Sequence, residues 1–483
     1  MSDLIKKAKN GIKWTALSSS VLATLQIVQI SILTNYLDSS AFGMMAIVFV
    51  IIGFSSLFMD LGLSSAIISY KKITDEQLST LYWLNIISGL TLSFVIYSSA
   101  LYISEFYNEP QIEGIIKLLS ITFIFSSLGS QYKYINQKEM KFNLIAKLEI
   151  ISSVLSFLTT ILLAINDYGV YSLVAGVIVQ SIFSNVAFFS MTFKYYKLSF
   201  VIKLPSVMPM IKFGFYQMGE KCVNYFNSQL DVIIIGKLMG PEILGFYSVS
   251  KNLVMKPAAM INPIVTKVGF PIMASIQDDT LKLKAIYLNT INYLTAINAI
   301  VYGSVIVLAE PIVLILFGDK WLDTILIIQI LSLYFMLRSI TNPVGSLQLA
   351  KGRADLGFYW NLFVLLITPM TIYLGSSSGI IGITISLVLS QLILNIPCWR
   401  FLIFPLCKAK FSEYASVIFN GIIFSAKVMS PSAVLYFILV DKFSFYITSL
   451  CYSIAIIIMF FVVLKRSNKD LYKLLTFNIR KVR

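Results

Sequence analysis

Histidine is absent from this 483-residue chain, and charged residues make up only 13% of it. The first absence excludes imidazole acid–base catalysis, histidine metal ligands and imidazole pH switching. The second excludes a water-exposed globular surface, because soluble domains carry about 25% charged residues. The four cysteines, Cys222, Cys398, Cys407 and Cys451, contain no CxxC pair, so neither a thiolate metal site nor a disulfide framework is expected. No GxxxxGKS/T phosphate loop is present, which argues against ATP-driven work by this chain alone. No DxD or other paired-carboxylate motif stands in a sizeable soluble segment, and no large outer loop is available for glycan polymerisation or ligation. The expectation is a protein that is not an enzyme and needs no cofactor.

Apolar residues fill that space: 57% of the chain is hydrophobic and the mean hydropathy is +0.82. A helix crosses the hydrocarbon with about 20 apolar residues. Apolar runs predict an all-α polytopic membrane protein with fourteen transmembrane helices. They lie near 12–34, 42–60, 79–102, 114–131, 145–165, 170–193, 214–236, 243–269, 285–308, 324–349, 357–374, 379–399, 414–440 and 444–464. Lys6, Lys7 and Lys9 precede the first run with no small-residue cleavage site after it, so that run reads as a retained span.

The net charge of +15 would suggest nucleic acid only if the basic residues shared one soluble surface. Their distribution says otherwise. With the N-terminus in the cytoplasm, 27 Lys/Arg fall in inner segments and only Lys237, Lys320 and Lys442 in outer loops, while acids show no such bias. That is positive-inside behaviour, with both termini cytoplasmic. The basic tail after Lys465 reads as an anchor on anionic membrane lipids, and no nucleic-acid partner is expected.

An offset of about 202 residues lays the first half on the second, Asn35–Ile47 on Lys237–Val249, with Gly43 on Gly245. Six spans separate the copies, so both have one orientation. This predicts two parallel six-helix bundles related by an axis along the membrane normal: a first lobe over 1–200, a second over 201–405, two further helices over 406–465 and a cytoplasmic tail over 466–483.

Span 7 carries Gln217, Glu220, Asn224, Asn227 and Asp231 at spacings of three and four, one continuous polar stripe. The related face of span 1 bears an uncharged version ending in Gln29, with Gln26 beside it. Such a stripe either lines a water-filled cavity or hydrogen-bonds between packed helices. Lys251 and Lys256 of span 8 and Arg338 of span 10 lie near the midplane, where charges are rare and face protein or a cavity. They are candidates for binding an anionic ligand or for neutralising Glu220 and Asp231. The two acids are candidates for coupling to a cation, H+ or Na+, and Asp60 and Lys267, near the inner ends, for gating. Lys427, mid-span before Pro431, has no assignable role.

Leu230–Ile264, Glu310–Trp321 (EPIVLILFGDKW) and Asn342–Asn361, together with Gln137–Phe142 and Asp167–Gly176, resemble the polysaccharide-transporter branch of the MOP flippase superfamily, closest to the Wzx-type and colanic- or teichuronic-acid-type exporters. The resemblance runs through span 12. It implies a bacterial inner-membrane flippase that moves undecaprenyl-pyrophosphate-linked oligosaccharide by alternating access, for surface polysaccharides such as O-antigen or exopolysaccharide, alongside glycan-assembly proteins. The branch often has Arg where this chain has Lys138 and Lys251, and Lys lacks the bidentate fork. A cation-coupled drug or small-solute antiporter of the same superfamily is the alternative; it would favour acidic and aromatic cavity residues over the Lys251, Lys256 and Arg338 set.

Overall fold

Long runs of Leu, Ile, Val and Phe without charges leave backbone amides no partner in lipid except their own helix. The computed structural model is helical accordingly. It describes residues 2–60, 67–68, 70, 73–193 and 199–467, apart from the side chains of 2–9, 60, 213, 216, 217, 220, 264, 265, 267 and 268. The helices are α1 (Ser2–Leu33), α2 (Ser39–Asp60), α3 (Asp75–Tyr107), α4 (Pro110–Lys138), α5 (Phe142–Ile165), α6 (Val170–Thr192), α7 (Leu204–Ser275), α8 (Thr280–Val307), α9 (Ala309–Leu316), α10 (Thr324–Thr341), α11 (Pro343–Ala350), α12 (Ala354–Ser376), α13 (Gly379–Cys398), α14 (Phe404–Cys407), α15 (Phe411–Leu439) and α16 (Phe445–Ser467). Among the described residues, thirteen helical stretches are long and apolar enough to cross a membrane.

One of those stretches, Lys221–Pro263, has 43 residues. Unbroken, it would measure about 65 Å at 1.5 Å per residue, twice the roughly 30 Å of hydrocarbon. It is broken at Gly240, with φ 79° and ψ 176°, a conformation an L side chain resists. The Tyr247 hydroxyl reaches back to donate to the Asp231 carboxylate, so the chain reverses at the break and the turns next to it lie side by side.

Local chemistry sets the other ends. Thr74 and Gln77 form a reciprocal capping box at the start of α3, and Asn108 ends it in a left-handed conformation. Asp279 caps α8 by accepting from the Lys282 amide at 3.1 Å. The segment after α8 is not an open loop: Ala309–Leu316 is helical, and Gly318 turns the chain into a short 3-10 turn over Asp319–Trp321.

The chain divides into two compact units at Ser248/Val249. In the first, α3 packs on α4, α4 on α6, and α5 on α6 and α1. Close approach comes from glycine: a Cβ at Gly129 would fall 2.4 Å from the Asn185 backbone, and one at Gly176 1.9 Å from Thr160 Oγ1. Buried amides tie these helices together. Asn85 Nδ2 donates to Ser127 O and Ser130 Oγ, Gln131 Nε2 to Leu78 O, and Asn136 Nδ2 to Thr192 Oγ1, each at 2.8–3.0 Å. The segment before α7 is strapped to α3: the Ser199 amide donates to Ser79 Oγ, Trp83 Nε1 to Ser199 O, and Lys203 Nζ to both oxygens of Glu76.

In the second unit α8 packs on α10, α10 on α13, and α12 on α13. Shifted by the sequence offset, these are the pairings α3–α4, α4–α6 and α5–α6 of the first unit. The second unit adds α15, packed on α8, and α16, packed on α15.

Candidate functional site

The candidate residues fall mainly on α7. On its first arm, exposure falls along the polar stripe: Asn224 is exposed, Asn227 half-buried and Asp231 buried. Gln217 and Glu220 occupy helical positions, but their side chains lie outside the described residues, as do those of the gate candidates Asp60 and Lys267. On α1, Gln26 is exposed and Gln29 half-buried.

Tyr225, between Asn224 and Asn227, docks this arm on α2. Its hydroxyl donates to Phe49 O at 3.2 Å and Val50 O at 2.9 Å, and it lies where a Cβ on Gly53 would be, 2.2 Å away. Phe54 packs against the rings of Tyr225 and Phe226. At the C-terminal end of the stripe, Asp231 Oδ1 accepts from the Val232 amide at 2.9 Å and Oδ2 from the fully buried Tyr247.

The repeat-related glycines meet beside this hairpin. A Cβ on Gly43 would stand 1.8 Å from the Pro241 carbonyl oxygen, and one on Gly245 1.9 Å from that of Ser39. Residues 39 and 241, like 43 and 245, are separated by the 202-residue offset. The contact is therefore reciprocal, each copy's glycine lying on the other's helix start.

The cations belong to the second unit. Lys251 is buried and Lys256 half-buried. Pro257 follows Lys256, and a tyrosine bridges the turn that holds both. The Tyr302 hydroxyl of α8 donates to Val254 O and accepts from the Ala258 amide, both at 3.1 Å. Lys256 lies within that bridged turn. One turn further, Asn262 Nδ2 donates to Ser339 Oγ at 3.5 Å, joining this arm to α10 next to Arg338. Arg338 is exposed, with Nη1 3.4 Å from the Tyr334 hydroxyl and the guanidinium 6.0 Å over that ring. Cationic side chains on neighbouring helices, one half-buried and one exposed, can hold an anionic group such as a phosphate.

Of the other intramembrane lysines, Lys117 pairs with Glu113 at 2.6 Å and Lys147 lies 5.7 Å over the Trp14 ring. Lys138 donates to the Tyr70 carbonyl at 2.6 Å, a single bond in which a guanidinium fork has no use. The site residues that the sequence reading missed are Tyr225, Tyr247 and Tyr302.

Residues 32–326 match the protein family described as "Polysaccharide biosynthesis protein". The chain is 31% identical over 412 residues to the lipopolysaccharide biosynthesis protein WzxC of Escherichia coli (strain K12), covering 85% of this chain and 84% of that one. It is 32% identical over 430 residues to the teichuronic acid biosynthesis protein TuaB of Bacillus subtilis (strain 168), covering 88% of each. Among solved structures, the inward closed conformation of the lipid II flippase MurJ superposes with a TM-score of 0.76 at 16% identity, over 95% of this chain and 99% of that one. An inward-facing multidrug resistance MATE transporter of the MOP superfamily gives 0.59 at 15% identity, over 78% and 94%. Identity at that level speaks for the fold, and the relatives speak for the family. The chain belongs to the polysaccharide biosynthesis family of Wzx-type multi-pass membrane transporters, built on the fold of MurJ and the MATE proteins.

Proposed function

We propose that the protein is a flippase that moves lipid-diphosphate-linked oligosaccharide across the bacterial cytoplasmic membrane for surface polysaccharide assembly. It works by alternating access between two parallel six-helix bundles, in a fourteen-span chain with both termini cytoplasmic. The observation that carries this reading is the pair of relatives, about one-third identical over more than four-fifths of every chain involved, whose names assign them to lipopolysaccharide and teichuronic acid biosynthesis. A further relative, 23% identical over 77% of this chain, is named as a succinoglycan biosynthesis transport protein. Counting the Gly240 hairpin as two crossings turns thirteen helical stretches into fourteen spans.

The chemistry fits such a cargo. A glycan needs a polar route while its polyprenyl tail stays in lipid, and the stripe from Asn224 to Asp231, with Gln26 and Gln29, supplies one. A diphosphate needs cations at mid-depth, supplied by Lys251, Lys256 and Arg338. Asp231, with Glu220, is the place for a coupling H+ or Na+.

The test is transbilayer movement in proteoliposomes holding the purified protein and a polyprenyl-diphosphate-linked oligosaccharide. The glycan on the inner leaflet should become accessible to an external lectin at a rate set by the protein. A rate equal to that of protein-free vesicles would overturn the reading. Ion-driven efflux of a cationic dye, with no glycan movement, would assign the protein to antiport.

A further inference from the structure

The inference concerns α15, which lies outside the internal repeat. Its buried residues Tyr414, Gly421, Ser425, Val428, Ser432 and Tyr436 form one side. That side packs on α8, where Gly421 abuts Thr295 and Met429 covers Gly303, and Val428 and Phe424 continue the contact toward α16 through Val463 and Phe460. At 100° per residue, Ser416, Asn420, Lys427 and Ser430 lie within about 80° of one another, with their mean direction about 150° from the buried side. All four are exposed. The helix therefore presents a narrow polar stripe directed away from the rest of its unit, with a lysine in it.

Lys427 stands in the middle of its helix. It lies roughly 24 Å along the axis from Phe411 and roughly 18 Å from Leu439, at 1.5 Å per residue. Helical side chains lean toward the N-terminal end, so its stem points to the farther boundary. Among the described residues its ammonium makes no ion pair or hydrogen bond. Charges at this depth are costly and pair with something.

We infer that this stripe is a docking seam for a transmembrane helix of another protein that carries a carboxylate at mid-depth opposite Lys427. Charge complementarity commits the site to an anion. A second copy of this chain does not supply it: an isologous contact sets Lys427 against itself, and among the described residues no exposed carboxylate lies more than about one turn from a helix end or from the Gly240 break. A hydrated glycan diphosphate does not fit either, because the four polar residues have Ile423 among them, exposed Val434 continuing their line, and exposed Phe419 and Phe437 beside it. A helix needs only such a narrow line. Asn420 and Lys427 are seven residues apart with Ser416 and Ser430 flanking them, the spacing at which small and polar side chains join membrane helices.

The experiment uses the full-length protein, donor-labelled, in phosphatidylcholine vesicles. Two acceptor-labelled leucine-rich transmembrane peptides are added that differ only in having Glu or Leu at the central position. The Glu peptide should give energy transfer at about a tenfold lower peptide-to-lipid ratio. Lys427→Leu should remove that advantage, and Lys427→Glu should transfer it to a peptide with a central Lys. Equal association of the two peptides with the unaltered protein, or an advantage that survives Lys427→Leu, overturns the proposal. So does loss of the advantage on adding polyprenyl diphosphate to the vesicles, which would assign Lys427 to a lipid phosphate.

Discussion

At the scale of single residues, tyrosine hydroxyls do the positioning. Tyr302 stands between Val254 O and the Ala258 amide, so Tyr302→Phe leaves both backbone groups short of a partner in the fully buried environment of that ring. The expected cost is about 1–3 kcal/mol, the desolvation penalty of an unmade buried hydrogen bond, seen as a lower unfolding temperature in detergent. No shift would mean the helix closes its own ladder past Pro257. The cations carry a functional prediction. Lys256→Gln or Arg338→Gln should lower glycan movement roughly tenfold or more while insertion is unchanged, and Arg338→Lys should be intermediate because the guanidinium fork is lost. Unimpaired movement by both Gln variants would remove the phosphate-binding role. These residues were unequally legible in the sequence. Charge in an apolar run is conspicuous, so Lys251, Lys256, Arg338 and Asp231 could be picked out directly. Tyr225, Tyr247 and Tyr302 could not, because in such a run one hydroxyl on an aromatic ring reads as core.

At the scale of elements, the Gly240-Pro241 pair signals the turn inside α7, and the gap between spans 7 and 8 was readable from it. The short helices α9 and α11 and the strap of Ser199–Lys203 onto α3 were not, because each depends on partners distant in sequence, such as Ser79, Trp83 and Glu76. The repeat gave Gly43 on Gly245 as an alignment; the structure adds that the two glycines form one reciprocal contact. Backbone oxygens stand under 2 Å from where each Cβ would go, and backbone cannot yield as a flexible side chain does. Gly43→Ala and Gly245→Ala should each destabilise by about 1–3 kcal/mol. Because either alone separates the same helix starts, the double variant should cost clearly less than the sum. Full additivity in thermal unfolding would show that the two positions act independently.

At the scale of the whole molecule, charge distribution decides orientation, and side-chain exposure decides where to test it. The 27-to-3 division of Lys/Arg predicts Asn108 and Ser377 outside and Lys203 and Lys410 inside. All four are exposed at helix ends or in connections, so a cysteine at any of them can be reached from its own side. Ala409 would be a poor probe, since it is fully buried and silent on either side. The four native cysteines must be removed first, because Cys222 and Cys451 are only half-buried. In that background, Asn108→Cys and Ser377→Cys should react with a membrane-impermeant thiol reagent in intact cells. Lys203→Cys and Lys410→Cys should react only after the membrane is opened. Each pair has one member before the Gly240 hairpin and one after it, so the assay also counts its crossings. Between Lys203 and Ser377 the hairpin counts as two spans in the fourteen-span chain, and as one if the 43-residue stretch crossed once. One crossing fewer would bring Ser377 to the same side as Lys203 and leave Asn108 outside. Labelling of Asn108→Cys with protection of both Lys203→Cys and Ser377→Cys would therefore place the error between Lys203 and Ser377, the stretch that holds the hairpin, and not in the overall orientation.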